Sequence, residues 1–223
     1  MTWIEGFLVT FVIVVLIGMI LPVLSNPRHG HPPKIMLARV EMSDLATAVE
    51  AYEADYNRLP LADYATNEDI TCGISSAEIQ GFKKIDGTKL VATNSDLLVI
   101  LMDFVSGVNA GHKFNPKQVK YLNAKLSGDT NSSGVGVDYQ YRDPWGNQYV
   151  ISLDANRDGY VRDGFYACPD LFASHTPTPL INTNGIYAYH GRVMIWSRGP
   201  DGKTSMNVPA NAGVNKDNVL SWE

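Results

Sequence analysis

Basic side chains are in short supply in this chain, and that narrows the field at once. Eighteen Lys and Arg stand against 23 Asp and Glu in 223 residues, giving a formal net charge of -5 and an isoelectric point near 5.5. Nucleic-acid partners demand a basic footprint, so that class is excluded. Catalytic patterns are lacking too. There is no Gly-x-Ser-x-Gly, no His-Glu-x-x-His and no phosphate-cradling loop, and His112, His175 and His190 lie in unrelated contexts. No nucleophile, base and orienter can be assembled, and the chain reads as a non-enzyme. Hydrophobic residues at 45% and charged residues at 18% give an ordinary globular balance, which rules out wholesale disorder.

Charge is absent altogether between Gly6 and Arg28, and residues 7–24 read FLVTFVIVVLIGMILPVL. As a helix this run is about 27 Å long at 1.5 Å per residue, close to the hydrocarbon thickness of a bilayer. A cleaved signal peptide would start with basic residues and have a shorter apolar core. The run therefore reads as a membrane segment. Two features are unusual for a plain anchor. Glu5 stands at its start, where a carboxylate near hydrocarbon is costly unless it is partnered or stays wet at the interface. The nearby basic residues, Arg28, Lys34 and Arg39, all follow the run. Taken alone, they would place the bulk of the protein in the cytoplasm, unless a basic leader once preceded Met1.

Residues 25–33, Ser-Asn-Pro-Arg-His-Gly-His-Pro-Pro, form a breaker cluster. His29 and His31 lack a carboxylate or cysteine at ligand spacing and read as solvated linker residues rather than a metal pair. Ile35, Ala38, Met42, Leu45, Val49, Tyr52 and Tyr56 then recur at steps of three and four, predicting one amphipathic helix over 34–57 that ends at Arg58-Leu59-Pro60. A short helix from Asn94 or Ser95 to about Val105 buries Leu97, Leu98, Ile100, Leu101 and Phe104. Farther on the period changes. Residues 137–141, 148–153, 164–167 and 186–196 read as antiparallel strands, two of them joined by the turn Asp143-Pro144-Trp145-Gly146-Asn147. Asn131-Ser132-Ser133 fits a glycosylation sequon, a triplet that is common by chance.

Met1-Thr2-Trp3-Ile4-Glu5, the apolar run and Pro22 together resemble the mature end of a type IV pilin or pseudopilin, in register and without a gap. Met1 in place of the usual phenylalanine and Gly6 after Glu5 are departures. Residues 51–60, ending at Leu59-Pro60, and the string from Asp143 to Asn147 followed by Gln148-Tyr149 are similar to segments of major pseudopilins of type II secretion systems. The resemblance covers residues 1–60 and 137–223. It implies an α+β pilin fold: a long N-terminal helix interrupted between positions 22 and 33, continuing as an amphipathic helix packed on an antiparallel sheet. The implied organisation is a filament-core helix (1–24), a linker (25–33), the head helix (34–60), an inserted helical and loop region (61–136), and a sheet with a calcium-binding loop (137–223).

The resemblance further implies that Met1 is a processed, methylated end and that Glu5 neutralises the amino terminus of a neighbouring copy. The implied assembly is a helical homo-oligomer, built at the bacterial inner membrane by an assembly platform with minor pseudopilins or pilins. The filament would then be periplasmic or extracellular. A long surface pilus and a membrane-anchored calcium-binding protein that does not polymerise are the alternatives. In an exported head Cys72 and Cys168 form a natural disulfide pair, and two buried free thiols are the other arrangement.

Two stretches carry calcium chemistry. Asp154, Asn156, Asp158 and Gly159 copy the first half of an EF-hand loop, but Phe165 occupies the twelfth position, so either Asp163 substitutes or the loop is a hairpin turn with solvated acids. The second is carried by the resemblance. Ser197-Arg198-Gly199-Pro200-Asp201-Gly202, closed by Asp217-Asn218-Val219-Leu220-Ser221-Trp222, is similar to the calcium loop of major pseudopilins. That match implies ligands from Asp201, Asp217 and Asn218, with Ser197 in the turn. Asn218 in place of a second aspartate removes one charge and weakens the site.

Overall fold

Pro33 cannot sit inside a helix, yet a proline ahead of the first turn is compatible with one that starts there. Helix α1 accordingly runs Lys34–Tyr56, as the spacing predicts. It stops at Asn57, whose φ of +52° is the left-handed conformation that closes helices, with its N–H donating to the Glu53 carbonyl at 2.7 Å. The computed structural model describes residues 33–62, 67–172, 179–183 and 185–222, together with Trp3. Met1, Glu5, Pro22, the apolar run, His29, His31 and His175 lie outside the described residues. Among the described residues no helix is long and apolar enough to cross a membrane.

The strands, in chain order, are β1 (Asp69–Cys72), β2 (Ile79–Gln80), β3 (Thr88–Val91), β4 (Gly134–Val135), β5 (Tyr141–Arg142), β6 (Val150–Leu153), β7 (Tyr160–Val161), β8 (Ile181–Thr183), β9 (Ile186–His190), β10 (Val193–Ser197), β11 (Thr204–Ser205) and β12 (Val219–Leu220). Helix α2 spans Ser95–Leu101. The central sheet has the order β12-β10-β6-β1-β3. It is mixed rather than purely antiparallel, because β1 and β3 pair in parallel, Thr71 opposite Leu90. A parallel pair needs a crossover of about a dozen residues, and the excursion over 73–87 supplies it. Residues 61–136, expected as an inserted helical and loop region, thus contribute two strands of the core sheet.

Because side chains alternate across a strand, β6 and β10 feed two cores. Ile151, Leu153, Val193 and Ile195 face Met42, Leu45, Val49 and Tyr52 of α1 together with the buried side of α2. Val150, Met194 and Trp196 face a layer of loops carrying Phe165, Tyr166, Leu171 and Phe172. Burying each large apolar side chain of α1 stabilises this packing by about 2 kcal/mol. The stripe becomes buried at Ala38, while Ile35, one turn earlier, is half exposed.

Other expectations change as well. Residues 137–140 are a turn between β4 and β5 rather than a strand, with the Tyr139 N–H donating to the Gly136 carbonyl at 2.9 Å. Residues 164–167 are turns rather than a strand, since one Asp163 oxygen accepts the N–H groups of Phe165 at 2.8 Å and Tyr166 at 2.7 Å. That Asx turn diverts the backbone from a ladder. Cys72 and Cys168 are both buried free thiols, the second of the two arrangements above. Cys72 ends β1 with its thiol pushed up to about 12 by burial, and Cys168 packs in the loop-side core. Each fills space as a small hydrophobe.

Candidate calcium-binding loop

The C-terminal loop leaves the sheet at Ser197, the last residue of β10 and fully buried. The Ser197 hydroxyl donates to the Asp143 carboxylate and accepts the Gly199 N–H at 3.0 Å. The other Asp143 oxygen accepts from the N–H groups of Trp145 at 2.8 Å and Asn147 at 2.9 Å. Asn147 Nδ2 donates to the Gly199 carbonyl at 2.8 Å. The 143–147 turn and the 197–202 turn, read separately in the sequence, are therefore bolted to each other. Burial pushes the Asp143 carboxyl up, opposed by the Ser197 hydroxyl and the turn N–H groups.

This junction leaves no room for a side chain at Gly199. Its φ is +63°, and a Cβ there would lie 2.1 Å from the Asp217 carbonyl oxygen. The glycine thus lets the returning strand of the loop run against the outgoing one. Asp201 and Asp217 are brought together: the Asp201 N–H donates to Asp217 Oδ2 at 3.3 Å, and Asp201 Oδ1 accepts the Lys203 N–H at 2.8 Å. Asn218 Nδ2 donates to the Tyr166 hydroxyl at 2.8 Å, while Asn218 Oδ1 is buried with no hydrogen-bond partner. Val219 and Leu220 then pair with β10, and the Ser221 N–H donates to the Ile195 carbonyl at 3.0 Å.

Buried polar atoms without partners are uncommon, and each one needs an account. A lone buried amide oxygen next in sequence to Asp217 is the type of donor a hard cation uses. Ser197 lies apart from that set, since its hydroxyl is committed to Asp143. Among the described residues no three His, Cys, Asp or Glu side chains converge as a ready-made metal cluster. A cation here would take Asp201, Asp217 and Asn218 Oδ1, with backbone carbonyls and water completing its shell.

The EF-hand-like loop is arranged differently. Asp154 is fully buried, and its oxygens accept the N–H groups of Asp158 and Gly159, each at 3.1 Å. Arg192 pairs with Asp154 and also with Glu53 of α1. Asn156 Oδ1 accepts the Asp158 N–H at 2.9 Å. Asp158 pairs with Arg162 at 2.8 Å, and Arg162 reaches Asp69 at 3.4 Å. Asp163 belongs to the core, where it accepts from the Ser152 hydroxyl and from Trp196 Nε1 at 3.0 Å. Guanidinium groups thus stand beside Asp154 and Asp158, and core donors take up Asp163. Burial raises the Asp69 carboxyl to about 6, and one of its oxygens has no partner.

Sequence reasoning missed the asparagines that lock the loops. Asn215, buried within the C-terminal loop, accepts the Ser205 N–H at 2.9 Å and donates to the carbonyls of Ser205, Val208 and Pro209. Nothing in a single sequence separates such an asparagine from a surface one. The remaining described histidines are dispersed: His112 pairs with Asp103 at 2.7 Å, and the His190 ring lies against Tyr160.

No family model, no curated protein and no solved structure matches this chain. Its functional reading stands on the residues and their geometry.

Proposed function

We propose that this chain is a structural subunit of a helical type IV pilin-like filament, of the kind formed by the major pseudopilin of type II secretion systems, which helps export proteins. The observation that carries the reading is one of order along the chain. An uncharged 18-residue run, positions 7–24, with Glu5 ahead of it and Pro22 inside it, precedes a helix packed on a mixed, mostly antiparallel sheet. The contact between the 143–147 and 197–202 turns lends support, because both turns carry the pseudopilin-like motifs.

In this reading the apolar segments of many copies exchange lipid for one another as the subunit leaves the inner membrane. Glu5 pairs with the amino terminus of a neighbour. A buried charge without its partner costs about 3–5 kcal/mol, so the pair selects one axial register. Calcium, when bound, orders the C-terminal loop. Asp201 and Asp217 supply charge, Asn218 supplies a neutral oxygen, and Asn147 and Asp143 hold the turn that carries Asp201.

Glu5→Ala tests the assembly step. In cells expressing only the variant, filament yield should fall at least tenfold while the subunit remains in the membrane. Normal filament yield from that variant would refute the role given to Glu5.

A further inference from the structure

The loop over residues 127–133 has no part in the assembly or calcium chemistry above. Asp129, Thr130, Asn131 and Ser132 are all exposed, and Ser133 is partly so. The Asp129 carboxylate folds the loop back on itself. It accepts the N–H of Asn131 at 2.7 Å, the N–H of Ser132 at 2.6 Å and the Ser132 hydroxyl at 2.7 Å. These bonds, the Ser132 hydroxyl foremost, hold its carboxyl down at about 2, so it is an anion at any physiological pH.

The backbone of the turn rests on the protein. A Cβ at Gly146 would come within 2.4 Å of the Asn131 carbonyl oxygen, so the loop is pressed onto the 143–147 turn. The side chains of Asn131 and Ser133 are not used in this packing. Among the described residues, the Asn131 amide and the Ser133 hydroxyl have no hydrogen-bond partner. The result is a projecting turn that offers an asparagine amide, a hydroxyl two residues later and a fixed anion two residues earlier. A bare Asn-x-Ser triplet is a weak signal. A bulky sugar needs an exposed acceptor, and this triplet stands exposed on a turn that the Asp129 carboxylate holds in shape.

We propose that Asn131 is an acceptor for an N-linked glycan, with Ser133 and Asp129 as the elements a transferase reads. The donor class is an oligosaccharide linked through pyrophosphate to a membrane lipid. Asn131 Nδ2 forms a bond to the anomeric carbon of the first sugar, and the bond from that carbon to the pyrophosphate oxygen breaks. The bonding electron pair leaves with the lipid pyrophosphate, one Nδ2 proton passes to a base on the transferase, and nothing is oxidised or reduced. The inference rests on the export that the filament reading implies, because it needs the head to face an exported donor. A hydrated sugar at this loop is also compatible with the fold, since the modified position is on the surface.

Intact-mass and peptide mapping of the full chain from its native cells tests this. The expected result is a hexose- or hexosamine-containing mass excess on the peptide bearing Asn131, resistant to alkaline β-elimination. It should be lost in Asn131→Gln and in Ser133→Ala, and kept in Ser132→Ala. An excess that survives Asn131→Gln, or that β-elimination removes, would overturn the proposal in favour of hydroxyl-linked sugar elsewhere. A processed, methylated Met1 with bare Asn131 would overturn the glycan and leave the filament reading standing. An unprocessed Met1 with bare Asn131 would overturn both.

Discussion

Two loops of this protein present nearly the same acidic vocabulary, yet their surroundings give them different chemistry. In the 154–163 loop each carboxylate has found a protein donor: Arg192 beside Asp154, Arg162 beside Asp158, and the Trp196 and Ser152 donors on Asp163. In the 197–218 loop no lysine or arginine side chain among the described residues pairs with Asp201 or Asp217, and Asn218 keeps a buried oxygen unpaired. Spacing along the chain measures how many oxygens a loop can offer. Whether a cation is wanted depends on which positive groups the rest of the fold brings up against them.

The sharpest way to break this comparison is to remove the arginine. Arg192→Ala leaves fully buried Asp154 and mostly buried Glu53 without their cation. Losing one partner of such a pair costs about 3 kcal/mol after allowance for the one-third exposure of the Arg192 side chain. Urea unfolding should show that loss, and millimolar calcium should recover part of it if the vacated carboxylates then accept a cation. An unchanged midpoint would mean that Arg192 is not what holds this loop.

The C-terminal loop gives the next effect. Calcium at about one hundred times its dissociation constant should stabilise the folded chain by about 2.7 kcal/mol, read as an upward shift of the thermal midpoint. Asp217→Asn should abolish the shift, and Asn218→Asp, which restores the missing charge, should enlarge it at the same calcium concentration. An equal shift in both variants would move the site elsewhere.

Asp69 gives the smallest effect. Its carboxyl is raised to about 6 by burial, so the folded state holds that proton more tightly than the unfolded chain does. The contribution is fully present below the ordinary carboxylate value and is lost as pH rises through about 6. With screening by Arg162 and water it amounts to about 1 kcal/mol between pH 4 and 6. Asp69→Asn should flatten that part of the stability profile. A slope unchanged by the substitution would assign it to another group.

The parts legible in the sequence were those written in local periodicity. The α1 stripe gave the helix and its buried positions Ala38, Met42, Leu45, Val49 and Tyr52 but passed over buried Ala48, and the leucines of α2 gave its core side. Strands β1 and β3 went unread because they are four residues each and β1 is buried on both faces, so no alternation marks it. The C-terminal loop was half legible. Asp201, Asp217 and Asn218 could be named from their motif, but the bolt between Asp143 and Ser197 joins positions 54 residues apart. Arg192 lies 38 residues from Asp154, so its claim on that carboxylate is likewise a tertiary fact.

The filament itself is tested most directly by electron microscopy of material sheared from native cells, with mass spectrometry of the subunit's N-terminus. The account predicts polymers containing this chain, beginning at a methylated Met1. Long fibres would mark a surface pilus, and a processed, methylated Met1 without long fibres a secretion pseudopilus. An unprocessed N-terminus with no polymer would contradict it.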